Sequence, residues 1–460
     1  MLRQEIPLIL AEYEAIKGRL AGSNYELFDI YEGNLLQYVK AEIRKQVSDS
    51  SFASMEPRIV PINFLRKIID KLSQIYSESP KRILRKPSED DEALFDFYKE
   101  ILDIDVEMML ANEIFNLEKY VCIEPYIDDG VPALRVMQPD KFFAFSTNRA
   151  NPTKMTHYCK IMGKGRDFDI LHVYTNDEFI IIDTRGNILL DEMNAIGNPD
   201  GINFVGKIPA VFISRSKFDL IPREDTDILK MTKILPILFS DINEVIFWQA
   251  FGVIYGIDVD AENLKYAPNA FWTFNTDPTK NTKPEIGTIK PQADIKSVQD
   301  FIMFQLNAWL ETRGIKVTAS GQVEASVSGV SKLVDEMDTA EDRKKQVPFF
   351  KRGESSLWDL IMNYLHPYWV QSGQIDMEKL FLPDQSVKVE FNEQFGIDDP
   401  IAVLDEIERE MRLGLTTQKL ALMKKNKGMT EKEADELLKK INEESTVEVD
   451  DVDENEDQNP

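Results

Sequence analysis

The chain has 460 residues, enough for two or three domains with a substantial buried core. Hydrophobic residues make up 43% of it and aromatic residues 10%, a composition that excludes a largely disordered protein. The formal net charge of −26 argues against tight binding of nucleic acid, which depends on Lys and Arg. Part of the acidity is local, because residues 443–460 hold nine acidic residues and no cation. We expect residues 445–460 to be a disordered tail.

The cysteines and the apolar segments indicate a protein made in a reducing cytoplasm and not inserted in a membrane. Cys122 and Cys159 lie in apolar, strand-like stretches, which favours buried thiols over a disulfide or a redox pair. The N-terminus carries several acidic residues and does not look like a signal peptide. The longest apolar candidate, 234–257, is interrupted by Asp241 and Glu244, so no membrane-spanning helix is expected.

Apolar residues at helical spacing predict a helical N-terminal part. Two helices are expected in residues 1–47, with a break at 31–34, and a third over 64–76. A fourth helix is expected over 88–120, where Ser88 followed by acidic residues is typical of an N-cap.

The pattern then changes to short β-branched and aromatic runs separated by Gly, Asn, Asp and Pro. Over 121–213 this pattern predicts a mostly antiparallel β domain inserted in a helical protein, with hairpin turns at 163–167 and 183–187. A further strand is expected at 387–395, and two or three short helices in 400–444.

Between these parts, the sequence predicts three long helices. The first covers 225–252, and Pro236 is expected to kink or interrupt it. The second covers 294–313. The third covers 330–372, with a bend at Pro348 and Gly353. Pro, Asn and Thr dominate the segment between the first two helices, and small residues dominate the one between the last two.

Motifs that carry catalytic chemistry are not evident. No histidine pair has metal-ligand spacing, and two cysteines alone do not make a zinc site. The sequence GKGRD at 163–167 lacks the phosphate-binding loop frame, and Asp258 and Asp260 lack the calcium-loop frame. We therefore expect no catalytic residue, no metal and no cofactor, and a structural role for each histidine. The three histidines are His157, His172 and His366.

The order of the predicted parts resembles the portal proteins of tailed bacteriophages over nearly the whole chain. Each short match is weak alone, and their shared order is what carries the resemblance. The turn before Pro80 departs from the family by lacking its usual glycine, and the clip-like segment is short. The similar segments are YEGNLLQYV at 31–39, RIVPINFLRKIIDKLSQIYSESP at 58–80, the Gly-x-Ile-Pro strand at 206–228, 287–315, SVSGVSKLVDEM at 326–337, and the Gly-Leu-x-Thr turn with its helices at 411–444.

The resemblance implies an α+β, helix-rich portal fold with wing, stem, clip and crown regions. Its parts would be the helical wing (1–120), the β-rich wing (121–222), the first stem helix (223–253), the clip (254–292), the second stem helix (293–313), the tunnel loop (314–332), the long bent helix with the return to the wing (333–396), the crown (397–444) and a disordered acidic tail (445–460).

The resemblance also implies partners and a location. Subunits would form a homo-oligomeric ring, usually of twelve, around a channel that passes double-stranded DNA without sequence specificity. Further partners would be the large terminase, the major capsid and scaffolding proteins, and head-completion or adaptor proteins, with no membrane. The protein would occupy the portal vertex of the virion, and the host cytoplasm during assembly.

Two sets of residues are the candidate sites under this interpretation. The tunnel loop would lie closest to DNA, with Lys316 and Lys332 as its only cations, and the clip would dock the motor. The tunnel-loop candidates are Lys316, Thr318, Ser320, Gln322, Ser326, Ser328 and Lys332. The clip candidates are Phe271, Trp272, Phe274, Asn275, Lys280 and Lys283.

Several alternatives stay open from the sequence alone. The loop over 314–332 could be a surface linker, and the apolar segment 234–257 could be a core helix of a monomer instead of a contact between subunits. The chain could also be another virion structural subunit, such as a capsid or adaptor protein, or an enzyme with an unrecognised active site. The acidity is compatible with a channel, because a duplex that slides must not be held tightly by its phosphates.

Overall fold

A computed structural model gives the fold, which is mixed α+β. The chain divides into two units, Met1–Asn392 and Glu393–Pro460, which we describe separately. The structure describes residues 2–20, 23–164, 168–216, 218–222, 226–251, 253–257, 285–289, 294–312, 316–317, 337–338, 340–391, 407–425, 434–435 and 437–439.

The N-terminal part of the first unit is helical, as predicted, but it contains more helices than expected. The predicted break falls at Gly33, whose φ of 119° interrupts a π-helical segment. Since this φ lies in the left-handed region, glycine is the residue that adopts it without strain. The helices are α1 (Leu2–Leu20), α2 (Ser23–Asp29), the π segment Ile30–Asn34, α3 (Leu35–Arg44), α4 (Asp49–Met55), α5 (Phe64–Leu72), α6 (Glu89–Ile101) and α7 (Ile104–Glu118).

The single helix predicted over 88–120 is wrong, because α6 and α7 are separate. Asp103 has a φ of 43°, and this left-handed backbone ends the hydrogen-bond ladder of a continuous helix. The predicted N-cap is confirmed. The Ser88 hydroxyl accepts a hydrogen bond from the Asp91 backbone N–H, and the Asp91 carboxylate accepts one from the Ser88 N–H at 2.9 Å.

The predicted antiparallel β domain is confirmed and consists of two sheets. One has the order β3-β2-β8, and the other is a meander in the order β4-β5-β6-β7. The strands flank the first predicted turn, where β5 pairs with β6 as far as Lys164 and Asp169, while residues 165–167 lie outside the described part of the chain. Around the second predicted turn, at 183–187, an isolated bridge joins Ile182 to Ile188. The strands are β2 (Tyr120–Asp128), β3 (Val131–Val136), β4 (Phe142–Phe145), β5 (His157–Lys164), β6 (Asp169–Tyr174), β7 (Phe179–Asp183) and β8 (Val211–Ser214), and α8 (Leu190–Ala195) follows β7.

Two helices and two short ladders follow the β domain. The predicted helices at 225–252 and 294–313 are confirmed, and Pro236 does not interrupt the first one. The β9–β10 and β11–β12 ladders were not predicted. The elements are α9 (Thr226–Phe251), β9 (Val253–Ile257), β10 (Glu285–Ile289), α10 (Ile295–Thr312), β11 (Lys316–Val317) and β12 (Met337–Asp338).

The long helix starts later than predicted. It is α11 (Ala340–Leu360), continued by the π-helical turn Ile361–Leu365 and by α12 (His366–Gln371). The start predicted at residue 330 is wrong, because Met337 and Asp338 pair with β11 as a strand. The helix also continues through the predicted bend positions, Pro348 and Gly353, and its irregular turn comes after them.

A two-stranded ladder joins distant parts of the first unit. The predicted C-terminal strand, β13 (Val387–Glu390), pairs antiparallel with β1 (Lys81–Leu84), a strand that was not predicted. The inner side of this ladder packs on α11, and Val387 and Val389 are buried there with Trp358.

The helices of the first unit pack into three of its four buried clusters. Around Trp358 and Tyr98, α6, α7, α11, β2 and β13 share one core. A second core lies between α1 and the β4–β7 sheet. A third contains α3, α5, α9 and α10. Each helix therefore buries an apolar side, which is where most of its stability arises.

The second unit contains short helices, as predicted. Helical residues occur at 407–412, and α13 covers Gln418–Lys425. Gly414, with a φ of 71°, ends the first helix while the Leu415 N–H donates to the Glu410 carbonyl at 2.9 Å. This left-handed glycine after the helix is a Schellman-type ending. The acidic tail at 445–460 lies outside the described residues.

Candidate functional site

The candidate site is the helix pair α9–α10 with the ladders that follow each helix. The β9–β10 ladder pairs Ile257 with Glu285, and the β11–β12 ladder pairs Val317 with Met337. Each ladder therefore holds the two ends of a long intervening segment together, at 258–284 and 318–336. The chain order is helix, ladder-closed segment, helix, ladder-closed segment and long helix.

The predicted site residues fall mostly within those two intervening segments. Lys316 lies in β11, where its backbone pairs with Asp338. The remaining tunnel-loop candidates lie outside the part of the chain that the structure describes: Thr318, Ser320, Gln322, Ser326, Ser328 and Lys332. The clip candidates lie outside it as well: Phe271, Trp272, Phe274, Asn275, Lys280 and Lys283.

The first helix of the pair is anchored to the N-terminal helices. Phe239 packs against Phe64 with 6.0 Å between the ring centroids, in a core shared with α3 and α5. Pro236 lacks a backbone N–H and would weaken the helix. Next to it, the Ser240 hydroxyl donates to the Pro236 carbonyl at 2.6 Å and accepts from the Val60 N–H at 3.0 Å. These bonds tie α9 to the segment before α5.

Charged contacts fix both ends of the same helix. The Lys233 ammonium lies 2.5 Å from the Glu26 carboxylate of α2. Towards the other end, the Arg58 guanidinium lies 2.7 Å from the Glu244 carboxylate and 4.2 Å from the centre of the Phe247 ring. Burial, together with the charge of Glu244, raises the pKa of Asp241 above its ordinary value. The helix is therefore held in a defined position.

The second helix has one side covered and another apolar side open. Ile302, Leu306 and Leu310 are completely buried against α9 and the N-terminal helices. By contrast, Phe301 is 55% exposed and Phe304 is 67% exposed. The apolar side of α10 consists of Val298, Phe301 and Phe304, spaced three residues apart. Such a set of exposed large side chains is typical of a contact surface.

A close aromatic contact shapes the β9–β10 ladder. Gly287 pairs directly with Tyr255, and the Tyr255 ring lies where a side chain at position 287 would be. Glycine is therefore required for this ring position. Both strands were missed, although VIYGI and EIGTI are rich in β-branched and aromatic residues, a composition that could have identified them.

The histidines have structural contacts. The His366 ring lies 2.8 Å from the Tyr98 hydroxyl and 2.9 Å from the Lys379 carbonyl, and burial lowers its pKa. The His157 ring stacks on Phe145 and lies 3.0 Å from a Glu5 carboxylate oxygen. Both imidazoles are therefore held by contacts within the chain.

The third histidine is held neutral. Burial, together with the nearby Lys160 ammonium, lowers the pKa of His172 to about 4. The cysteines are buried free thiols, as predicted, and burial raises the pKa of both Cys122 and Cys159. Within the described part of the chain, no group of three or more His, Cys, Asp or Glu residues could hold a metal ion.

Comparison with known proteins identifies no family for the chain, so a function is inferred from the geometry of its structure. The chain matches no protein-family model, and no curated protein is significantly similar to it. Among the residues that the structure describes, no helix is both long enough and apolar enough to cross a membrane.

Proposed function

We propose that the chain is a subunit of the portal ring of a tailed bacteriophage, a non-catalytic channel for packaging and ejecting DNA. The observation that carries this proposal is the chain order from α9 to α11. Two packed helices, each followed by a ladder-closed segment, precede a long helix. This order supports the assignment of first stem helix, clip, second stem helix, tunnel loop and long helix, taken from the resemblance in the sequence.

The apolar side of α10 supports the ring. Phe301 and Phe304 are large, mostly exposed side chains on a helix whose other side is already buried. A second copy of the chain would cover them, and repeated head-to-tail contacts of this kind close into a ring when the rotation allows it. In this proposal α9, which contains most of the apolar segment 234–257, packs against neighbouring subunits as well as within its own subunit.

The remaining partners follow from the proposed role. DNA would pass along the ring axis without sequence specificity, and the clip would bind the large terminase during packaging. Head-completion or adaptor proteins would replace the motor afterwards. Capsid and scaffolding proteins would surround the ring at one vertex of the virion, after assembly in the host cytoplasm.

Negative-stain electron microscopy of the purified chain tests ring formation. We expect annular particles with a central hole, alone or after addition of scaffolding and capsid proteins. Light scattering on the same sample should give the mass of a closed oligomer. A monomer under all of these conditions would contradict the proposal, and a discrete dimer with an enzymatic activity would favour the enzyme alternative.

Deletion of residues 319–328 tests the assignment of the tunnel loop. The deletion lies between β11 and β12, so the ladder residues and α10 remain in the variant. We expect rings to form normally while packaging or retention of DNA is reduced. The control is the full-length protein in the same packaging assay. Normal packaging by the deleted variant would show that this segment is a linker.

A further inference from the structure

The exposed side of α11 carries a concentrated positive charge. Lys344 and Lys345 are exposed in its first half, and Lys351 and Arg352 are exposed seven residues further on. Seven residues are close to two helical turns, so the two pairs lie on the same side of the helix. At 1.5 Å per residue, about 10 Å separate them along the helix axis.

The β1–β13 ladder extends this surface. Arg82 of β1 points inward, where its guanidinium bonds to the Glu354 carboxylate, which has no exposed surface. Since side chains alternate along a strand, Lys81 lies on the outer face. The register pairs Lys81 with Glu390 and places the exposed Lys388 two residues along the partner strand.

The two parts meet around Glu390. Its carboxylate pairs with Lys388, and the positive charges of Lys388, Lys351 and Lys81 all lower its pKa. Interactions between exposed charges are screened beyond about 8–10 Å, so the three ammonium groups lie near this carboxylate. Lysines from β1, α11 and β13 therefore lie around the Glu390 carboxylate on one part of the surface.

This surface contrasts with the charge of the chain as a whole. The protein has 80 acidic and 54 basic residues, yet four of the five exposed charged residues of α11 between 341 and 360 are cations. The acidic Glu354 of the same helix is buried against Arg82 and does not offset them at the surface. A local positive field on an acidic protein restricts a polyanion to one contact region.

We propose that this basic face binds the phosphate backbone of double-stranded DNA. It consists of Lys81, Lys344, Lys345, Lys351, Arg352 and Lys388. The separation of the two cation pairs, about 10 Å, is close to the width of the major groove of B-DNA, about 12 Å. Each pair can therefore contact phosphates on one side of the groove.

The proposed face is distinct from the predicted channel contacts and lies within one subunit. It binds without sequence preference, because its contacts are to phosphates alone. Its function does not depend on ring formation, since all six residues belong to the same chain.

Fluorescence anisotropy with a labelled duplex at several KCl concentrations tests this face. The test variant is Lys344→Gln, Lys345→Gln, Lys351→Gln and Arg352→Gln combined. For four phosphate contacts, the affinity of the unmodified protein should fall roughly 100-fold between 50 and 200 mM KCl, since each contact contributes a slope of about −0.9. The variant should bind more than tenfold more weakly at 50 mM KCl, with most of the salt dependence lost.

A matched variant controls for net charge. It replaces four exposed cations elsewhere by Gln, namely Lys45, Lys99, Arg149 and Lys154. We expect it to bind like the unmodified protein, and thermal melts should show all three proteins folded. Equal weakening by both variants, no weakening by the test variant, or no binding by the unmodified protein would overturn the proposal.

Two further readouts separate the possible partners and functions. If polyglutamate displaces the labelled duplex at a lower concentration than unlabelled duplex does, the face is a site for acidic polypeptide and the proposal is overturned. Negative-stain electron microscopy shows whether the test variant still forms rings. Rings with weakened DNA binding support the basic face, while monomers that bind DNA would contradict the portal proposal alone.

Discussion

The core around Trp358 and the helix pair α9–α10 differ in how completely the chain covers them. Trp358 and Tyr98 are fully buried, and the Glu354 carboxylate beside them accepts hydrogen bonds from the Tyr76 hydroxyl at 2.8 Å and from Arg82. On α10, by contrast, Phe304 is two-thirds exposed. The first region is completed by its own chain, whereas the second presents apolar surface for another molecule to cover.

This difference separates folding from assembly. Substitutions in the first region should change the free energy of unfolding, because they remove contacts made within the chain. Substitutions on the apolar side of α10 should leave that free energy nearly unchanged and alter association. The first and third predictions below test this separation, and the second concerns a partly buried histidine of the β4–β7 sheet.

The largest effect is expected for Trp358→Ala. The side chain is fully buried and packs against Phe95 with 4.7 Å between the ring centroids. Removing a buried tryptophan leaves a cavity and costs about 3–5 kcal/mol of the free energy of unfolding. Urea denaturation followed by circular dichroism measures this loss. A loss below about 1 kcal/mol, the range of ordinary substitutions, would show that this core is not completed within the chain.

An intermediate effect is expected from protonation of His172. Its folded pKa of about 4 lies below the ordinary histidine pKa of 6.5, so the unfolded chain binds the proton first as the pH falls. The contribution to stability is complete above pH 6.5 and is lost between pH 6.5 and 4. Allowing for solvent screening of a partly exposed group, we expect a loss of about 1 kcal/mol.

The control for this pH effect is His172→Gln, which stays neutral. Denaturation curves are measured for both proteins between pH 7 and 4.5. The difference in stability between the two proteins removes the contributions of the carboxylates, which both proteins share. The stability of the unmodified protein should fall more steeply than that of the variant. Parallel pH profiles would show that the imidazole is as accessible to protons as in the unfolded chain.

The smallest effect on stability is expected for Phe301→Ser combined with Phe304→Ser. Both side chains are more than half exposed, and exposed substitutions typically change the free energy of unfolding by about 0.5 kcal/mol or less. Sedimentation velocity should show loss of the oligomer at protein concentrations where the unmodified chain assembles. Lys296→Gln on the same helix is the matched exposed control. Destabilisation as large as that of Trp358→Ala would remove the contrast between the two regions.

Local sequence patterns predicted much of the fold and little of the long-range pairing. The spacing of apolar residues identified α9 and α10, and Ser88 identified the start of α6, because these signals lie within a few residues. The break at Asp103 was missed, although Asp is favoured in left-handed backbone and at helix starts and acidic residues follow it. Strand β1 was missed because its partner, β13, lies about 300 residues away.

The candidate sites show the same limit. The order of helices and loops was visible from composition. The ladders that close the loops depend on pairing between strands that are far apart in the chain, separated by residues 258–284 in one case and by residues 318–336 in the other. The basic face was missed because its two cation pairs are separated by Pro348 and two phenylalanines. Helical spacing over seven residues is the signal that could have identified it.

The β1–β13 ladder also has a consequence for synthesis of the chain. Lys81 leaves the ribosome about 300 residues before its partner Glu390. At a synthesis rate of about 5–20 residues per second, this interval is roughly 15–60 s. Throughout it, β1 is an unpaired edge, and the N-terminal helices lack the tryptophan-containing half of their core. A chain that is released early therefore exposes an unpaired strand and an incomplete core, and is recognisable as incomplete before it reaches any assembly.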